Sequence, residues 1–295
     1  MKKAMKRALL LALAVAMLVC LSACGKCAWE IKINGKDIQI PCTLDDIGEE
    51  YEYTLDYPFS GNSNGKGIFS VALMQDGEKT LHAVLKNYFE PYGENQEIRI
   101  GGYVADIVGE NGVIEIQTRQ FNKLLKKLEA FLDYCDVTVV YPIPAVKYVR
   151  WIDTETGELS EKHKSPRKYT IYEVMPELYK IKYTLDNPRF HLCLCMLETE
   201  EIRLLNGWSK NKKRGSSRHD RIPKGLIDEI HIDCPADFDM FLPEDLPKQF
   251  TSKDFAFNAK ISREYAQVTL NILTYLERVK RVGKQGANIL YEKTE

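Results

Sequence analysis

Two carboxylates flank a turn, and the turn decides whether they meet. Asp106 and Glu115 lie on either side of Gly109-Glu110-Asn111-Gly112, in which Asn-Gly is a strong short hairpin cue. The residues leading to Asp106 alternate apolar and polar, and so does the run Val113–Thr118, with the period of a strand. A four-residue loop over 109–112 pairs residue 108 with 113 and Asp106 with Glu115. A two-residue loop over 111–112 puts Asp106 opposite Gln117 instead. Either register leaves Asp106, Glu115 and Gln117 on one face, with Ile114 and Ile116 on the other. Facing Cβ atoms lie roughly 4.5–5.5 Å apart. Carboxylates at that distance repel, and they need a proton or a divalent cation to share the site.

The elements that must hold this ribbon are legible on both sides of it. Phe121, Leu124, Leu125, Leu128 and Phe131 fall at helical spacing, with Lys123, Lys126 and Lys127 on the polar side. Val137-Thr138-Val139-Val140-Tyr141 is β-branched and mostly apolar, as a buried strand is, and Pro142 and Pro144 are expected to end it. Upstream, Glu78–Glu90 is expected to be a helix. Leu81, Val84, Leu85 and Tyr88 lie on one face and Pro91 stops it. His82 and Lys86 share another face. A single surface histidine is usually only solvated.

The order helix, three strands, helix, strand resembles the PD-(D/E)XK nuclease core, the fold of restriction endonucleases and Holliday-junction resolvases. The resemblance implies an α+β protein with a restriction-endonuclease-like α/β/α core. It implies catalytic roles for Asp106 on the second strand and for Glu115-Ile116-Gln117 on the third, with Glu78 as the acid from the first helix. Asp106 and Glu115 would be the Mg²⁺ ligands. Gln117 stands where the family motif has Lys, and some active members carry Gln there. More closely, residues from about 78 to 292 look like an uncharacterised bacterial family, through the phrases LHAVLK, EIQT, VVYPI, KSP, NGWSK and VGKQGANILYE.

The 295 residues leave room for two modest domains, and 44% hydrophobic with 28% charged residues argues against wholesale disorder. Net charge is −1, so any nucleic-acid surface must come from local segregation of charge. Residues 1–24 read as an export signal. Lys2, Lys3, Lys6 and Arg7 precede an apolar run, Ala8 to Val19, too short to span a bilayer, and Leu21-Ser22-Ala23-Cys24 follows. This resembles the bacterial lipoprotein signal, which implies lipidation of Cys24 and attachment to the outer side of the cell membrane. A cytoplasmic location is the alternative, if the N-terminus is a fusion or a reading-frame error; fractionation of a C-terminally tagged chain separates the two. The expected division is a signal peptide at 1–23, a small β-rich module and linker at 24–76, a nuclease-like domain at 77–240 and a winged-helix domain at 241–295. The β-rich module carries a hairpin about Asn34-Gly35. Cys27 and Cys42 flank that hairpin, either as a disulfide or as two free thiols.

Two basic stretches lie beyond the ribbon. Arg203 to Lys224 carries Lys210, Lys212, Lys213, Arg214, Arg218, Arg221 and Lys224 against one acid, Asp220, and its Gly and Ser residues suggest a loop. With Trp208 such an arm suits phosphate backbones, though most charge runs are solvated faces. At the C-terminus, Thr251 and Ser262 are placed to cap two helices, and Val279–Tyr291 reads as a hairpin. Helix, turn, helix and hairpin resemble a winged helix, with Arg278, Lys280, Arg281 and Lys284 charging the wing. Cys193 and Cys195 point the same way from a strand but lack a second Cys pair at zinc spacing, which favours core thiols. The expected function is a DNA- or other nucleic-acid-binding protein with an Mg²⁺-dependent nuclease core. The alternatives are a nuclease fold that binds without cutting and a membrane-anchored lipoprotein with an extracellular ligand.

Overall fold

The computed structural model describes the backbone of residues 30–33 and 36–39, and the chain over 80–207 and 215–294. The chain divides into two units, Met1–Thr54 and Leu55–Glu295. In the first, β1 (Glu30–Ile33) and β2 (Lys36–Gln39) pair antiparallel with Ile33 opposite Lys36, and Asn34 and Gly35 lie outside the described residues. Cys24, Cys27, Cys42 and Glu78 lie outside the described residues, as do Lys210, Lys212, Lys213 and Arg214.

The second unit is mixed α+β. It starts with α1 (Thr80–Phe89), followed by the antiparallel meander β3 (Gln96–Ile100), β4 (Tyr103–Gly109) and β5 (Gly112–Ile116). Helix α2 (Phe121–Leu132) crosses over to β6 (Val137–Asp153), which lies parallel to β5. The amphipathic pattern of α2 explains the crossover: Phe121, Leu124, Leu128 and Phe131 are all buried against the sheet. A two-residue strand β7 (His163–Lys164) pairs with β6, and a short helix α3 (Met175–Leu178) follows. Then come β8 (Phe190–Leu205), parallel to β6, and β9 (Ser217–Ile232), antiparallel to β8. The main path of the sheet is β3-β4-β5-β6-β8-β9.

Two expectations about this region are corrected. Pro142 and Pro144 do not end β6, which runs 17 residues through both. Val140 turns its carbonyl toward β5, where it accepts from the Gln117 amide, and Pro142 faces the same way two residues on. Strand β5 has ended by then, so no ladder bond needs the N–H that proline lacks. The register of β6 on β8 shifts between Ile143 and Val146, which absorbs the second proline. The basic stretch is not a loop throughout either. Arg203 lies in β8, and Arg218, Arg221 and Lys224 lie in β9, because the two strands form one long antiparallel pair.

Both faces of the sheet are covered. A smaller apolar cluster beneath α1 joins Leu81 and Leu85 to Ile107, Ile116, Val140, Cys193 and Cys195. A larger one packs α2 and α3 on Val113, Val137, Val139, Leu192 and Leu194. It continues without a break into the C-terminal elements through Phe238, Phe250, Phe255, Leu270 and Leu273. Those elements are β10 (Gln249–Thr251), α4 (Ser252–Ala259), α5 (Arg263–Tyr275) and the hairpin β11 (Val279–Gln285) and β12 (Asn288–Lys293). Strand β10 pairs with β12, making a three-stranded sheet. The caps are the expected ones. Thr251 Oγ1 accepts from the amides of Lys253 and Asp254, and Ser262 Oγ accepts from that of Tyr265. No described helix is long and apolar enough to cross a membrane.

Candidate functional site

The turn after β4 takes the first of the two expected registers. Val108 pairs with Val113 and Gly109 with Gly112, which brings Asp106 level with Glu115. Gly112 makes the register possible: its φ is +104°, and a Cβ there would sit 2.2 Å from the carbonyl oxygen of Asp136. That close approach also lets the Val113 amide donate to the same carbonyl at 2.9 Å.

The two carboxylates meet differently from a simple cross-strand pair. The β4–β5 ladder stops at Ile107 opposite Ile114, one pair short of them. Ala105 belongs to the cluster under α2, whereas Ile107 belongs to the cluster under α1, so strict alternation breaks at Asp106. The Asp106 carboxylate takes the place of the missing rung, accepting from the Ile116 amide at 2.8 Å. Its own amide lies 3.4 Å from Glu115 Oε1. The acids therefore converge in the cleft where two strands part, reached from both faces of the sheet.

One basic side chain comes from each face. His82 of α1 places Nε2 3.2 Å from Asp106 Oδ2. Lys127 of α2 places Nζ 2.5 Å from Glu115 Oε2. Glu115 is only 2% exposed. Burial first, and the Asp106 charge second, push its carboxyl up to about 7 despite Lys127. Burial would raise Asp106 too. The hydrogen bond and charge of His82, the Ile116 amide and Lys127 outweigh it, and its carboxyl lies below the ordinary value. One acid of the pair is thus charged and the other shares a proton near neutrality.

Gln117 lies just past β5, and its side-chain amide donates to the Arg119 carbonyl at 2.7 Å. The positive charge beside Glu115 is that of Lys127, which the sequence had placed on the polar side of its helix. Helical arithmetic holds the clue. Lys127 is three residues after Leu124 and four before Phe131, at the border of the apolar stripe, and its ammonium sits 6.0 Å from the Phe131 ring centre. The chain reaches α2 through Gln120, held at φ +63°. The Phe121 amide behind it donates to Glu177 of α3 at 2.9 Å, which fixes the start of the helix that carries Lys127.

The basic residues divide into those with internal partners and those facing solvent. Arg278 holds Asp239 through two hydrogen bonds of 2.8 Å, and Lys280 lies 3.4 Å from Glu292. Arg203 and Arg221 both turn to the buried Glu201, at 2.6 and 3.9 Å. Arg218, Lys224, Arg281 and Lys284 are exposed.

A family model described as "Domain of unknown function (DUF8091)" matches residues 79–233, just over half of the chain and the part that contains Asp106, Glu115 and Lys127. A protein of Treponema pallidum (strain Nichols), named "Uncharacterized protein", is 31% identical over 143 residues. The match covers 48% of this chain and 54% of that protein, so the chain spans about half the length of the relative it matches. No solved structure matches the chain.

Proposed function

The chain belongs to the family described as "Domain of unknown function (DUF8091)", and on the geometry of its site we propose that it binds nucleic acid and cleaves phosphodiester bonds with a divalent cation. The observation that carries this reading is the convergence of Asp106, Glu115 and Lys127 where β4 and β5 part. The element order around it, α1-β3-β4-β5-α2-β6, resembles that of the PD-(D/E)XK core and supports the reading. The β10-α4-α5-β11-β12 segment has the order of a winged helix, which supports a nucleic-acid substrate.

Hard oxygen donors from two carboxylates fit Mg²⁺. Asp106 and Glu115 would hold it, and when bound it would stabilise charge on the scissile phosphate. The chain's own residues do the rest. The Ile116 amide and His82 fix the orientation of Asp106. Lys127, now held by Glu115, would be the cation nearest a phosphate oxygen if Glu115 held the metal. His82 stands where it can carry a proton to or from Asp106. Among the described residues, exposed Arg218, Lys224, Arg281 and Lys284 are cations available to phosphates.

The test is incubation of the full chain with duplex, branched and single-stranded DNA. We expect cleavage of at least one with Mg²⁺ or Mn²⁺ and none with EDTA. Binding that weakens steeply with salt but never cuts would instead assign the fold to a binding module. The absence of both cleavage and binding would sink the nucleic-acid reading.

A further inference from the structure

A second polar cluster lies on the face of the sheet that α1 covers. In the antiparallel pair of β8 and β9, Cys193 stands opposite His231 and Cys195 opposite Glu229. Residues two apart on a strand share a face, so all four side chains project from the same one. Both thiols are fully buried, while His231 is exposed and opens the cluster to solvent. The ligand atoms of Cys193, Glu229 and His231 all lie within 4.8 Å of one another. Cys195 Sγ is 3.8 Å from Cys193 Sγ.

We propose that Cys193, Glu229 and His231 hold a Zn²⁺ ion and that Cys195, which neighbours Cys193 but falls outside that group of mutually close ligand atoms, swings in to complete the tetrahedron. Two sulfurs, each about 2.3 Å from a zinc ion at a tetrahedral angle, lie about 3.8 Å apart. That is the separation these thiols already have. His231 Nε2 and Glu229 Oε1 are 2.8 Å apart, joined by a hydrogen bond. A zinc bound to both would set them about 3.3 Å apart, so the ion takes the place of the bonding hydrogen after a small widening. Uptake releases the two thiol protons; the two thiolates cancel the charge of the ion, and the carboxylate leaves the site with one net negative charge. Tyr88 donates to the other oxygen of Glu229 at 2.8 Å, an outer contact that aims the carboxylate. Sulfur and imidazole donors select zinc over Mg²⁺, so this site is chemically distinct from the pair Asp106 and Glu115 and does not rest on the nuclease reading. Its structural effect is to pin β8 to β9 beneath α1, the helix that also carries His82.

Titration of the reduced, metal-free full chain with Co²⁺ tests this. Cobalt held tetrahedrally by thiolates shows strong visible bands and a sulfur-to-cobalt charge-transfer band. We expect both to saturate at one equivalent and to be bleached by Zn²⁺. Cys193→Ser removes the charge-transfer band or weakens uptake at least about tenfold. His231→Ala, at an exposed position, does the same with an unchanged far-ultraviolet spectrum. Asp106→Ala and His219→Ala leave the bands as they are. Absence of the bands in the wild type, or their persistence in both Cys193→Ser and His231→Ala, would overturn the assignment.

Discussion

Lys127→Met is expected to cost DNA cleavage about a hundred- to a thousandfold, the loss seen when one preorganised charge-stabilising group is removed from a site. Asp106→Ala is expected to cost at least as much. The argument for Lys127 is positional. The familiar lysine would follow Glu115 by two residues on the strand, but Gln117 is there, and its amide is used by the Arg119 carbonyl. The ammonium of Lys127 occupies the same neighbourhood from the facing helix, 2.5 Å from Glu115. Methionine keeps the stem that packs toward Phe131 and removes only the charge, so folding should survive. Lys126→Met, one residue away on the solvent side of α2, should leave the rate unchanged. Equal loss in both lysine variants would show a general effect of charge on DNA binding, and Lys127 would then have no role at the reacting centre.

Glu115 makes the second prediction, and its sign follows from linkage. The folded carboxyl titrates at about 7 against an ordinary 4.5, so the folded protein holds more protons between those values. Stability from this residue is complete below pH 4.5 and is lost as pH rises through 7, by on the order of 3 kcal/mol. Glu115→Gln keeps an oxygen for Lys127 while removing the repulsion with Asp106. In EDTA the variant should therefore melt above the wild type at pH 8 and close to it at pH 5. Mg²⁺ at pH 8 should raise the melting temperature of the wild type and not of the variant. Parallel pH profiles for the two proteins would mean that Glu115 is charged and relaxed in the folded state.

Much of the frame around this site was legible in the residues. The residues 109–112 marked the turn but left two registers open; the 109–112 loop, not the Asn111-Gly112 one, opposes the right acids, and Gly112 tolerates the approach to Asp136. The apolar spacing of α2 and the capping residues Thr251 and Ser262 marked helices that form where expected. The prolines misled because their cost depends on what lies beside the strand, and β5 ends before it would have met Pro142. His82 and Lys127 were hidden for a related reason. Each lies at the edge of an apolar stripe, and whether such a residue faces solvent or a carboxylate depends on the packing of the helix. The pairing of Cys193 with His231 was out of reach. It requires the register of β8 on β9, which shifts at three places that the sequence does not announce.

The measurement that tests the central claim most directly is Mn²⁺ uptake by the full chain without DNA, followed by the loss of the free-ion paramagnetic signal. The account predicts uptake that Asp106→Ala and Glu115→Ala each abolish and that Cys193→Ser leaves intact. Uptake unchanged in both acid variants, or none in the wild type, would contradict it.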